Sequence, residues 1–186
     1  MKRLIAISFL TLASGSLAPG QPSAVPANWL STWILNLKES KIGPIRGPGI
    51  PASGLTVTSQ TLTIAVAAGH LKVAGDTVTT QIGNTHEAFD VDLERGETIL
   101  SGGPRVSFTK IDDTAFDIVL SLNNKTFGNQ AGVNRFVFSA DGKTLTESKT
   151  QTEREPVPEG EDQTKGAVTR TSTSILVFHR PAEQFP

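Results

Sequence analysis

An all-β fold, an antiparallel up-and-down barrel of roughly eight to ten strands, is what this sequence predicts, on three observations. Apolar residues recur at every second position in run after run. Tight-turn dipeptides separate the runs, at spacings of about 8–16 residues. The composition also suits strands: 22 threonines favour extended backbone, while 17 glycines and 11 prolines break helices. No window of a dozen residues keeps helical spacing free of glycine or proline.

The chain opens on a different pattern. Lys2 and Arg3 precede an apolar stretch over residues 4–12, and small residues and prolines follow as far as Ala27. This is the layout of a secretory signal peptide. Residues 1–27 are therefore expected to be a signal and short lead-in, cut somewhere between about residues 18 and 27. Ser16-Leu17-Ala18 and Val25-Pro26-Ala27 are the two candidate cleavage sequences. The apolar stretch is far shorter than the ~20 residues of a membrane-spanning helix, and no later segment is apolar enough to span. An exported protein, periplasmic or extracellular, is the expectation.

Residues 28–186 then form one barrel domain. Trp33, Leu35 and Leu37 alternate with Ile34, Asn36 and Lys38, which makes a first strand. Residues 43–54 (GPIRGPGIPASG) carry too many prolines and glycines for a strand and should lie over the surface. Leu62, Ile64 and Val66 mark the next strand, and Phe89, Val91 and Leu93 a later one, ending at an Arg95-Gly96 turn. Residues 105–111 and 114–122 flank Asp112-Asp113 at hairpin spacing. On the second of these runs Phe116, Ile118, Leu120 and Leu122 should face inward, with Asp117 exposed. Asn123-Asn124 and Asp141-Gly142 read as further turns. The acidic stretch 153–165 (EREPVPEGEDQTK) reads as a hairpin tip. Short connections favour neighbours in sequence, and closure into a barrel removes exposed edges.

Charge and composition limit the function classes. Seventeen basic residues against 18 acidic give a net charge of −1, which argues against a nucleic-acid binder working through a broad basic face. The absence of cysteine excludes disulfides, thiolate metal sites and cysteine nucleophiles. His86-Glu87-Ala88-Phe89-Asp90 imitates part of a zinc-protease helix motif, but its surroundings alternate as a strand. On a strand i and i+4 lie ~13 Å apart, too far to share one metal at ~2 Å per bond. His70, His86 and His179 are the only histidines, and no Gly-x-Ser-x-Gly elbow is present. Glu159, Glu161 and Asp162 lack the spacing of a calcium loop. No catalytic residue, metal site or cofactor is assigned.

The last hairpin carries the most information. Thr144, Thr146, Ser148, Thr150 and Thr152 share one face of their strand, and Leu145, Glu147, Lys149, Gln151 and Glu153 share the other. If the charged face meets water, a hydroxyl row lines the interior. The competing expectation is a Thr-rich ribbon that is wet on both faces.

The stretch Leu30-Ser31-Thr32-Trp33-Ile34-Leu35-Asn36, with Lys38, Ser40, Lys41 and the proline-rich loop behind it, resembles the opening of a group of small exported bacterial proteins with a lipocalin-like barrel. Lys110-Ile111-Asp112-Asp113 and residues 138–146 extend the likeness over most of the mature chain. Lipocalins carry Gly-x-Trp on the first strand; here Ser31 stands in place of the glycine. The resemblance implies a small apolar or amphipathic ligand inside the barrel and no catalysis. It also implies a basic side chain, Arg170 or Arg180, across Trp33 at the floor, whereas Trp29 just upstream should be more exposed. The candidate ligand contacts are Trp33, Phe116, Phe136, Thr146, Ser148 and Arg170. An alternative is a filled barrel acting in the envelope or outside the cell as an interaction module, through its Thr-rich C-terminal hairpin and loops.

Overall fold

The computed structural model describes residues 25–43, 56–100, 103–124, 128–154 and 169–182. The signal-like segment up to residue 24, most of the proline-rich loop (44–55) and most of the acidic stretch (155–168) lie outside them. Ten strands form one antiparallel sheet: β1 Ser31–Leu35, β2 Val57–Ala67, β3 His70–Thr79, β4 Gly83–Asp92, β5 Glu97–Ile99, β6 Arg105–Asp112, β7 Ala115–Asn124, β8 Gly128–Phe138, β9 Thr144–Arg154 and β10 Thr169–His179. Their order is β4-β3-β2-β1-β10-β9-β8-β7-β6-β5, so every pairing is between sequence neighbours except β1 with β10. That exception joins the two ends of the chain and curls the sheet into a nearly closed barrel, open between β4 and the β5–β6 hairpin. The only helix among the described residues is a single 3-10 turn, Ala27–Trp29.

The β1–β10 seam is short. Ile34 pairs with His179 and Leu35 with Phe178, and then the first strand leaves the ladder. Residues 36–40 form a turn closed on the Asn36 carbonyl, which accepts from both the Ser40 backbone N–H and its hydroxyl. The Ser40 Oγ in turn accepts from the Val177 N–H at 2.9 Å, so a side chain fills a gap in the backbone ladder. Pairing resumes at Lys41 opposite Ile175.

One end of the barrel is packed solid. Trp29 and Trp33, both fully buried, meet Phe116, Phe136 and Phe138 there. Trp29 stacks on Phe138 with centroids 5.3 Å apart, and Phe116 stacks on Phe136 at 4.6 Å. The Trp29 indole donates to the Asp113 carbonyl at 3.0 Å, which ties the 3-10 turn to the β6–β7 hairpin. Arg180 lies 4.9 Å over the Trp33 ring and donates to the Asn28 carbonyl at 2.6 Å. Of the two basic candidates, Arg180 is therefore the one across Trp33. Trp29 corrects the expectation of an exposed ring. It plugs the floor, because the 3-10 turn folds the chain back beneath the barrel.

Three further expectations need correcting. Asn123 and Asn124 belong to β7, paired with Asn129 and Gly128, and so are strand residues and not the expected turn. Asp117 is not freely exposed: its carboxylate, 15% accessible, takes two hydrogen bonds from Arg135 directly opposite on β8, at 2.8 and 2.9 Å. The last hairpin is neither hydroxyl-lined inside nor wet on both faces: the face that carries Leu145 and Glu147 turns inward. Leu145 and Glu147 are fully buried, and Thr146 and Ser148 sit on the outer face. On β7, Phe116 and Ile118 are buried and Leu120 packs against the core as expected, while the side chain of Leu122 lies outside the described set.

The β2–β3 hairpin turns on Ala68 and Gly69, both with positive φ (51° and 80°). This is the signature of a two-residue turn that matches strand twist, and it prefers Asn-Gly. An alanine there crowds its Cβ against the following carbonyl, at a cost of ~1–2 kcal/mol. Ala68→Asn is expected to stabilise the protein by about 0.5–1 kcal/mol, read as a higher urea midpoint at unchanged slope.

Candidate functional site

Register carries the packed end smoothly into a polar one. Across β10, β9 and β8, one inward level holds Phe178, Leu145 and Phe138, and the next holds Leu176, Glu147 and Phe136. Above these come Ser174, Lys149 and Asn134, and then Ser172, Gln151 and Gly132. Because side chains alternate along every strand, these rows stack one above the next on this part of the wall. The change from aromatic to hydroxyl and amide thus takes place over about two levels.

A cavity of about 230 Å³ occupies the polar half. Ile42, Val57 and Leu176 give it an apolar part; Gln60, Thr77, Gln151, Ser172 and Ser174 give it a polar one. Glu87 and Lys149 also line it, with His86 at the β4 edge. The Gly43 N–H donates to the Ser174 hydroxyl at 2.9 Å, which fixes that part of the wall. A Cβ on Gly43 would lie 2.7 Å from the Thr173 carbonyl oxygen, so only glycine permits this close approach to β10.

Lys149 links the two sides of the interior. Its Nζ is 2.8 Å from Glu87 Oε2 on β4, five strands away in the sheet, and 3.6 Å from Glu147 Oε1 on its own strand. Glu147 is 1% accessible and flanked at its own level by Leu176 and Phe136. Asn134 Nδ2 donates to its Oε1 at 3.1 Å, and its Oε2 has no partner. Burial pushes the Glu147 carboxyl up to about 7, against the opposing pull of the Lys149 ammonium, and the Glu87 charge adds to the rise. Burial works to lower Lys149, but Glu147 and Glu87 outweigh it and hold the ammonium above the ordinary lysine range.

The six candidate contacts do not gather around this cavity. Trp33, Phe116 and Phe136 are fully buried in the packed end, Thr146 and Ser148 are on the outer face, and the side chain of Arg170 lies outside the described set. Lys149, Glu87, Gln60 and Ser174 are among the residues that line it. The clue to this was Leu145, which shares a face with Glu147 and Lys149 and is drawn inward by its Phe138 and Phe178 neighbours. Each histidine faces an acid: His70 with Asp90, His86 with Asp76, and His179 with Glu39. All three pairs are solvent-accessible, and none reaches a serine or threonine hydroxyl among the described residues. The described residues also contain no cluster of three acids or histidines that could hold a metal, and no helix long and apolar enough to cross a membrane.

No family model matches the chain, and neither does any curated protein or solved structure.

Stability should report the buried carboxyl. The folded state holds the Glu147 proton up to about pH 7, whereas an unfolded glutamate loses it near 4.5. The contribution is complete below the lower value and is lost as pH rises through the upper one. The loss is expected to reach about 2–3 kcal/mol between pH 4.5 and 7.5. Asp92, Asp112 and Asp141 act elsewhere on the scale: hydrogen bonds from the Arg95 backbone, the Thr114 hydroxyl and the Ser139 hydroxyl hold them below the usual carboxylate range. Urea melts across this pH range should show the decline in the native protein and a flatter profile in Glu147→Gln.

Proposed function

We propose that this is an exported, lipocalin-like barrel that holds a small amphipathic molecule in its mouth-side cavity, without catalysis and without a cofactor. The observation that carries this reading is the cavity itself, lined by apolar side chains on one part and hydroxyl and amide groups on another. Its volume of about 230 Å³ is below the ~300–1,000 Å³ of pockets for drug-sized ligands. The molecule is accordingly compact, or projects from the mouth. The lipocalin likeness draws support from Trp33 on β1 beneath Arg180, at the closed end. Export draws support from the Lys2-Arg3 head and the apolar stretch behind it.

Calorimetric titration with n-hexanol tests the container. Saturable binding is expected in the native protein, with at least about a tenfold loss in Thr77→Phe, which fills the polar half from β3. Absence of binding would instead favour the interaction-module reading. That alternative draws on the outer face of the last hairpin, where Thr150 stands opposite Thr173 and Thr152 opposite Thr171. Because the rings of both tryptophans are buried in the floor and line no part of the cavity, their fluorescence should change little on binding.

Export makes a separate prediction. Val25 packs on the core, and the Pro26 and Ala27 carbonyls accept from Trp29 and Leu30. A cut after Ala27 would remove these groups and place a charged amine beside the floor. Processing upstream of Val25 is expected, and intact-mass measurement of secreted protein checks it.

A further inference from the structure

Gln60 is a buried polar group that the barrel leaves unused. It stands on β2 opposite Thr77 of β3, faces inward and is only 6% accessible. Its carboxamide makes no hydrogen bond among the described residues. Unlike Glu147 Oε2 and Arg180 Nε, its nitrogen and oxygen are not sealed off, and they open on the cavity that the residue lines. Such an amide has only water to pair with until a ligand arrives. A site of this kind selects a molecule that matches it, because a mismatched one leaves the amide unpaired. Resting on the container reading above, we propose that the ligand's polar end is uncharged, a primary carboxamide or a group of like chemistry, seated on Gln60.

Gly75 makes room for this amide. It pairs with Leu62 of β2 and Glu87 of β4, at the next inward position, and a Cβ there would lie 3.3 Å from Gln60 Nε2. The carboxamide therefore lies over a gap in the wall and presents a donor and an acceptor side by side. A primary carboxamide on the ligand meets both at once, whereas a hydroxyl has a single oxygen to offer. Thr77, Gln151 and Ser172 also line the cavity and make no side-chain hydrogen bonds among the described residues, so they serve the rest of the head. The apolar part, Ile42, Val57 and Leu176, receives the remainder of the molecule.

The charged groups of the lining argue against an ionic head. Glu87 and Lys149 are closed on each other at 2.8 Å, and His86 is paired with Asp76 at 2.7 Å. Glu147 lies outside the lining and takes no part. An anion would compete with Glu87 for the ammonium, and a cation would compete with Lys149 for the carboxylate. Either would shed its own hydration to break a pair already made, whereas a carboxamide leaves that pair intact. At ~30 Å³ per water the space equals roughly eight waters, which suits a short-chain amide.

Calorimetric titration at neutral pH with hexanamide, n-hexanol, hexanoate and n-hexylammonium tests this. Hexanamide is expected to bind several-fold tighter than hexanol and at least about tenfold tighter than either ion. Gln60→Met, close in volume, should erase the lead of hexanamide over hexanol while hexanol still binds. The same substitution removes no hydrogen bond among the described residues, so its urea midpoint is expected to hold or rise. A lowered midpoint would assign Gln60 to the fold and overturn the proposal. So would a hexanamide lead that survives Gln60→Met, or an ion that binds as tightly as hexanamide. If hexanol binds and hexanamide is no tighter, the carboxamide assignment falls and the container stands. If none of the four binds, both fall.

Discussion

The contact on which the rest of this barrel depends is the one between Arg180 and the floor. A guanidinium lies over Trp33, hydrogen-bonds the Asn28 carbonyl and leaves its own backbone N–H to the Lys143 carbonyl. Three parts of the chain meet at this one residue: the lead-in before β1, the end of β10 and the β8–β9 turn. The β1–β10 ladder itself has only two register pairs at this end. Such a short ladder is weak, and the cation over the ring adds ~0.5–2 kcal/mol where it is most needed. Trp29 then seals the opening from below through its stack on Phe138 and its bond to Asp113.

Closure at that point sets the height of every inward side chain. Once Phe178 is level with Leu145 and Phe138, pleating alone puts Glu147 one step higher and Lys149 two steps higher. The carboxylate thus comes to rest in an apolar ring, where burial keeps it near neutrality in charge, and the ammonium comes to rest where Glu87 can reach it from the far wall. Neither group selects its position. Both are carried there by the register of the aromatic residues beneath them.

The strands were legible because period two is a strong signal when one face is buried, and most turns announced themselves through Gly-containing or Asp-rich pairs. The Asn123-Asn124 pair misled, because local turn chemistry is weaker than a ladder that continues across it to Asn129 and Gly128. The interior of the last hairpin was misread for a different reason. Charge usually faces water, and in Thr144 to Thr152 the hydroxyl face looked the better lining. What decides the matter is a non-local fact: Leu145 meets two phenylalanines from neighbouring strands. Lys149 finds a carboxylate 62 residues earlier in the chain, a pairing with no trace in local sequence. Trp29 was placed outside for the same reason, since only the finished barrel supplies the ring stack that buries it.

The sheet's two free margins bear on the protein's behaviour at high concentration. One margin, β5, is three residues long. The other, β4, is accessible over its first six residues, which include a glycine, an asparagine, Glu87 and His86, itself paired with Asp76 of β3. A second chain that added itself to β4 would have to strip water from those polar groups, and it would find little apolar surface in return. The opening in the barrel wall is therefore guarded against fibril-like stacking by its own side chains. A structure with unfinished hydrogen bonding along one side can remain dispersed without closing the ring.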